Sequence, residues 1–406
     1  MGRNAGRLAL VLLLGAGACL SPTDPADEPI AAVRVTIGDG AAREDTIQVR
    51  ATTRVHAAAL ASAGYALPIA GFGFASSDPS VAEVDELGTV RGVSPGEATI
   101  TAAAPGGGPS GSVVVVVVPS TIAYTIDVGW GAGAMTFSTD FTRAYVATGS
   151  GSVVVVDALG FFRTDEIALG ADVDGLAATG SRLYATHADI DSVSVVGTAR
   201  NDLEGRIWIG AGPAGAAATP ARAMIAARWD RRVVLLEEGQ PPLGVPVDGE
   251  PEALALSGDG TRLYATVRRD DGWHLVGIAP AWPDTLGSVR LAGEPTALAT
   301  NGDGSRIYVL LGSARTVAVY VETGEGSYAL DGTVETGDAP GGIGARRFGP
   351  AHVVVSGSPA IVFDGESLEV TDRIEGAGRG AVAVRPDGLF AFLADPDGGV
   401  IHVLGL

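Results

Sequence analysis

The sequence predicts an all-β protein in which a two-sheet β-sandwich precedes a seven-bladed β-propeller. Three observations carry this. Residues 29–118 hold short runs of alternating apolar and polar residues separated by Gly, Pro and Asp. Residues 119–406 repeat one pattern at steps of 39 to 45 residues. Across its 406 residues the chain is 46% hydrophobic, which supplies enough apolar surface for packed cores.

The first nineteen residues have the layout of an export signal. Arg3 and Arg7 supply positive charge, Leu8 to Leu14 are apolar, and Gly15 to Ala18 are small. The apolar run is too short to span a bilayer. Directly after Ala16-Gly17-Ala18 stands the only cysteine, Cys19, and this arrangement resembles the lipobox of bacterial lipoproteins, with Ala16 where Leu is usual. The resemblance implies that residues 1–18 are removed as a signal peptide and that Cys19 is lipidated. Residues 19–28 then form a short tether containing Pro22, Pro25 and two aspartates. A lone cysteine has no intramolecular disulfide partner, so an exported domain here depends on its core for stability.

Residues 29–118 form the first domain. Val33-Arg34-Val35-Thr36-Ile37 and Thr46-Ile47-Gln48-Val49 alternate as half-buried strands of a sandwich do. In Phe74 to Asp85, Ser77-Asp78-Pro79 marks a turn. Gly88 turns the next hairpin, and Gly96 precedes the alternating Ala98, Ile100 and Ala102. These pieces resemble the bacterial immunoglobulin-like group 2 (Big2) family, with Phe74 where that family often has Trp. The resemblance implies an Ig-like fold and, in surface proteins, a spacer or adhesive unit. Val113 to Val118 is expected to close the sandwich as a strand buried on both faces.

Residues 119–406 hold seven units. Arg143-Ala144-Tyr145, Arg182-Leu183-Tyr184, Arg222-Ala223-Met224, Arg262-Leu263-Tyr264 and Arg306-Ile307-Tyr308 align, followed by the weaker Ala351-His352-Val353 and Phe390-Ala391-Phe392, with units three and six degenerate. Each unit reads as a glycine-rich approach, an apolar strand, a turn, the Arg-x-Tyr strand and a third strand. Four strands per unit of roughly forty residues is the pattern of a propeller blade. Asp259-Gly260, Asp303-Gly304 and Asp387-Gly388 predict two-residue hairpin turns. The segments Gly249 to Ala255 and Gly293 to Ala299, each followed by Asp-Gly-x-Arg-x-Tyr, resemble the YVTN repeats of bacterial surface propellers. The chain ends on a third strand, Val400 to Leu406, and the region begins with an unpartnered strand, Thr121 to Val128. The N-terminal strand is therefore expected to complete the last blade.

Composition excludes several functions. A formal net charge of −20 argues against nucleic acid as a partner, because phosphate binding needs clustered cations. All 27 basic residues are Arg, and the absence of Lys removes P-loop, Schiff-base and Ser-x-x-Lys chemistry. Ile209 to Gly215, followed by Arg232 to Glu237, imitates a flavin-binding Rossmann fingerprint. Pro220 interrupts the helix this motif requires, the acid lies too far on, and the segment is in phase with the repeat. The five histidines lack metal-hydrolase spacing and Gly-x-Ser-x-Gly is absent. His187 and His352 are read as core or interblade residues. No catalytic residue, metal ligand or cofactor is assigned.

One constellation stands out. Glu250, Glu294 and Asp338 each follow a glycine leading into an inner strand, and Asp172 has the same phase in an earlier unit. Carboxylates converging at one channel mouth would favour a cation or a basic partner. The expectation is an exported, lipid-anchored cell-envelope protein of the outer membrane or cell surface, monomeric, touching the membrane only through its lipid. Its propeller acts as a non-catalytic platform for a protein or glycan. The alternative is a propeller enzyme of the lactonase or quinoprotein-like type, with its site at the channel mouth.

Overall fold

A computed structural model describes residues 28–38, 42–48, 52–69, 71–93, 96–118, 121–280, 284–347 and 352–406. The signal segment, Cys19 and most of the tether lie outside the described residues. No α-helix occurs among those that are described, so the fold is all-β, as the patterning indicates.

The sandwich consists of two four-stranded sheets. One runs in the order Ala32–Ile37, Thr52–Leu60, Thr89–Gly92, Ala82–Val84; the other in the order Glu44–Gln48, Ser110–Val118, Gly96–Ala103, Gly73–Ser76. Alternation places Val33, Val35, Ile37, Val55 and Val90 of the first sheet, and Ala98, Ile100, Ala102, Val113, Val115 and Val117 of the second, in the core. Here the valine run corrects the expectation of burial on both faces, because Val114 and Val116 are only half-buried. An unbroken apolar run hides which face is covered, and the pleat alone separates inward from outward residues. Gly88 adopts φ +78°, and a Cβ there would lie 2.8 Å from the Val55 carbonyl oxygen, so this turn requires glycine. Asp85 stabilises the same turn by accepting hydrogen bonds from the Leu87 and Thr89 amides at 2.9 and 2.8 Å.

The propeller has seven antiparallel four-stranded sheets. The inner strands are Met135–Phe137, Gly175–Ala178, Pro213–Ala218, Glu250–Leu256, Ala297–Thr300, Ile343–Ala345 and Val382–Val384. Each contacts the next, and the last contacts the first, so the ring closes. Blades 1–6 use consecutive strands. Blade 7 joins Val382–Val384, Phe390–Asp395 and Val400–Gly405 to Ile122–Asp127 as its outer strand. Units three and six, degenerate in sequence, form complete blades. The flavin-like segment forms the inner and third strands of blade 3, Pro213–Ala218 and Arg232–Glu237.

Seven apolar clusters hold the ring, each shared by two neighbouring blades. In blade 1, Tyr145 and Ala147 pack towards blade 2, while Ala144 and Val146 pack towards blade 7. A strand covered on both faces must be apolar at successive positions, which explains Val153 to Val156. The Arg-x-Tyr motif also works between blades. Arg143 donates to the Thr198 carbonyl of blade 2 at 2.7 Å, and Arg222 to the Pro280 carbonyl of blade 4 at 2.8 Å. Tyr264 donates to the Gly304 carbonyl of blade 5 at 2.7 Å.

Blade 7 has Phe390 where blades 1–5 have that arginine. Its place is taken by Arg385, whose side chain is 6% exposed and donates to the Ala158 carbonyl of blade 1 at 2.8 Å. An aromatic cluster covers the same seam: Phe161 stacks on Tyr124 at 4.5 Å and lies 4.9 Å from Phe390, and Phe137 meets Phe392 edge-on at 5.1 Å. Among the described residues, the seam between blades 7 and 1 thus carries more aromatic ring contacts than any other.

The Asp-Gly turns are longer than the expected two residues. Leu256 pairs with Leu263, Ser257 and Arg262 close the loop between them, and the Gly260 amide donates to the Ser257 carbonyl. The aspartate acts from inside the turn: Asp259 accepts from Ser257 Oγ at 2.6 Å and from the Thr261 amide at 3.0 Å. Gly260, Gly304 and Gly388 follow with φ between +71° and +75°. Blade 1 places Phe141 at this position, at φ 61°.

Candidate functional site

The alternation of strands gives the ring two unlike ends. At one end, outer strands pass to the next blade's inner strand and second strands turn into third strands. All four acids singled out in the sequence lie at this end, leading into inner strands. Asp172 and Glu294 are exposed and Glu250 is half-buried opposite Arg268. Asp338 is ion-paired with Arg315, and both side chains are more than half exposed. Among the described residues no group of three or more His, Cys, Asp or Glu is placed to hold a metal ion. The four carboxylates therefore share a face without forming one ligand set.

The same face carries three exposed tryptophans that the sequence reading did not single out. Trp130 is 74% exposed, Trp208 68% and Trp229 58%. Trp130 precedes the inner strand of blade 1, and its ring lies over Gly149, where a Cβ would approach it to 2.6 Å. Trp208 precedes the inner strand of blade 3. Trp229 occupies that blade's second turn, its amide donating to the Ala211 carbonyl at 3.2 Å and its ring lying over Gly212. Ile190, 43% exposed, occupies the equivalent turn of blade 2 between them. Glycine beneath the Trp130 and Trp229 rings leaves room for each indole to lie against backbone. The available signal was their phase: each tryptophan falls in a connection at the same end of the repeat, and none at a core position.

Over the connections of this end carboxylates outnumber arginines, with Asp174, Asp189 and Asp191 in those of blade 2, while Trp229 is flanked by Arg228, Asp230, Arg231 and Arg232. Several are fixed: Asp191 accepts from the Gly212 amide at 2.8 Å, and Asp230 pairs with Arg232 at 2.9 Å.

A serine–histidine pair lies just beneath. His187 Nδ1 donates to the Asp172 carbonyl at 2.6 Å, which leaves Nε2 to accept from Ser194 Oγ at 2.8 Å. This has the contact a nucleophile and its base would need. Both residues are 0% exposed, and Ser194 Oγ also accepts from Arg206, so the pair reads as a closed network tying inner connection to third strand.

The opposite end holds a cavity of about 400 Å³ on the propeller axis. All seven blades line it, mostly with small or apolar residues such as Met135, Phe137, Ala217, Leu256 and Val384, together with hydroxyls. Among the described residues Arg347 is its one charged lining residue. Arg347 belongs to blade 6 yet donates from Nε to the Gly258 carbonyl of blade 4 at 3.1 Å. Burial lowers its pKa, opposed by the charge of Asp259.

Comparison with known proteins agrees with both folds. Residues 32–115 match the family profile described as bacterial Ig-like domain (group 2). No curated protein matches the chain in sequence. Among solved structures, the chain is similar to Kuenenia stuttgartiensis hydrazine synthase at 20% identity and a TM-score of 0.59, over 68% of this chain and 96% of that one. It is also similar to the β-propeller domain of Myceliophteria thermophila Cps50 (Swd1), at 14% identity and a TM-score of 0.59, over 71% of this chain and 100% of that one. At such identities the likeness concerns the fold alone.

Proposed function

We propose that this is an exported, lipid-anchored envelope protein whose propeller is a non-catalytic binding platform, with the tryptophan-bearing face as its contact surface and a basic protein as its partner. The observation that carries the reading is the exposure of Trp130, Trp208 and Trp229 on one face. Indole rings are costly to leave in water and are enriched in the desolvated centres of interfaces. Surrounding carboxylates select an arginine- or lysine-bearing surface, which offers both ion pairs and cation–π contacts to the indoles. The Ig-like domain fits the role of a spacer, and Cys19 is the residue proposed to carry the lipid.

The test is capture from solubilised envelope with the chain beginning at residue 20, compared with a Trp208→Ala, Trp229→Ala double variant. A partner held at stoichiometric level, released by raised salt and lost with the double variant, is the expected result. Equal capture by both proteins, or a partner released by free sugar and indifferent to salt, would overturn the basic-protein assignment. For the anchor, radiolabelled palmitate is expected to label the natural protein and not Cys19→Ser; equal labelling would refute it.

A further inference from the structure

We propose that the axial cavity at the end opposite the tryptophans is a binding site for a small carboxylate with an apolar body, its acid group held by Arg347. The cavity's volume of about 400 Å³ lies within the range of small-molecule sites, roughly 300–1,000 Å³, and its walls combine apolar side chains with the hydroxyls of Thr136, Ser138, Thr139, Thr219 and Thr300. Arg347 supplies the positive charge of this lining, and the Asp259 carboxylate acts on it from the neighbouring turn of blade 4. Arg347 uses Nε on the Gly258 carbonyl, and among the described residues its two terminal nitrogens make no hydrogen bond. A guanidinium presents paired N–H groups that match a carboxylate, and removal from water strengthens that attraction.

Two features of the backbone serve this arrangement. Gly258 has no side chain where one would collide with Arg347, since a Cβ there would lie 2.7 Å from Arg347 Cγ. The arginine can therefore reach across from blade 6 past blade 5. Phe141, also lining the cavity, holds φ at 61° in the turn position where blades 4, 5 and 7 have glycine. A bulky residue in that region costs about 1–2 kcal/mol, so the fold sustains strain to keep an aromatic ring at the cavity. Charge at one side and an aromatic and aliphatic wall elsewhere define an amphipathic anion. The site is separate from the tryptophan face and does not depend on what binds there.

Octanoate is the probe, with octanamide as its uncharged counterpart, measured by titration calorimetry on the chain from residue 20. The expected result is one octanoate per chain, bound at least tenfold more tightly than octanamide. Arg347→Met is expected to remove that tenfold preference while leaving octanamide unchanged. Absence of saturable octanoate binding, equal affinity for the two probes, or an unaltered preference in R347M would overturn the proposal. Should R347M fail to fold, Ala217→Leu decides, because it fills the cavity from another blade. It is expected to weaken both probes at least tenfold, and unchanged binding would overturn the site.

Discussion

Replacing Arg385 by methionine tests whether the blade 7–blade 1 seam is held as described. The substitution keeps an unbranched chain of similar reach and removes the guanidinium. Three interactions go with it. The hydrogen bond to the Ala158 carbonyl, 2.8 Å long and buried, is the only one of them that crosses the seam, and a hydrogen bond from a charged group contributes about 1.5–3 kcal/mol. The contact with Phe390, 4.5 Å from guanidinium carbon to ring centroid, contributes about 0.5–1 kcal/mol. The ion pair to Asp387 at 2.7 Å contributes at most about 1 kcal/mol, because the aspartate side chain is 43% exposed. Together these amount to about 2–5 kcal/mol, which lowers the melting temperature by about 3–8 °C in a domain of this size. Urea unfolding followed by far-ultraviolet circular dichroism gives the difference directly. Arg163→Met is the control, since it breaks a surface ion pair with Glu166 inside one blade and is expected to cost under about 1 kcal/mol. A loss in R385M no larger than that of the control would refute the reasoning.

Three further outcomes are expected. Gly215→Ala places a Cβ 2.3 Å from the Glu252 carbonyl oxygen of the neighbouring inner strand, and forcing those backbones apart is expected to cost about 1–3 kcal/mol in the same urea assay. A chain of residues 129–406 lacks the outer strand of blade 7 and is expected to aggregate or remain partly unfolded by gel filtration, whereas residues 121–406 elute as a compact monomer. Stability is expected to fall in two stages on acidification. Burial lowers the pKa of His402 below 6.5, against the pull of Asp395, so the unfolded chain takes up the proton first; this contribution is complete above pH 6.5 and declines as pH falls below it. The turn carboxylates Asp140 and Asp303 are held below 3.8, chiefly by hydroxyl donation from Ser138 and Ser305. Their contribution is present above pH 3.8 and is lost as pH falls through their folded-state values. His402→Gln is expected to abolish the first stage alone, and an unchanged profile would refute its origin.

The architecture was legible because the propeller repeats its energetics along with its shape. Arg143 and Arg222 recur in one phase because each reaches the carbonyl that follows the third strand of the next blade, and Tyr264, two positions on in its motif, reaches the first turn of the next blade, so the motif records interblade contacts. Where the contact is made differently, the pattern disappears: Arg385 sits five residues before the aligned position and satisfies the same seam from inside a turn. Turn length was misread because Asp259 bonds its own loop, which lengthens a turn whose Asp-Gly pair alone suggests a two-residue hairpin. The acids could be phased but not assigned partners, since the Asp338–Arg315 ion pair joins two connections of the ring end. The tryptophans were hidden for a different reason. Their phase places them in connections, but an exposed indole makes no repeating contact, so only the buried residues on either side mark it as surface. Arg347 was beyond reach altogether, because its contact with Gly258 spans 89 residues across the axis.

Closure by Ile122–Asp127 has a consequence for how such a ring can move between genes. Ile122 pairs with Leu404 and Thr125 with His402, so the first and last strands of the propeller run side by side. A segment whose two ends emerge together can be set into a surface loop of a host domain without stretching either partner. It can equally be reopened elsewhere, by linking residue 405 to residue 122 through a few glycines and cutting a turn between third and outer strands. The chain therefore carries its propeller as a cassette whose two ends meet in one blade, and every other outer turn is an alternative place to open it.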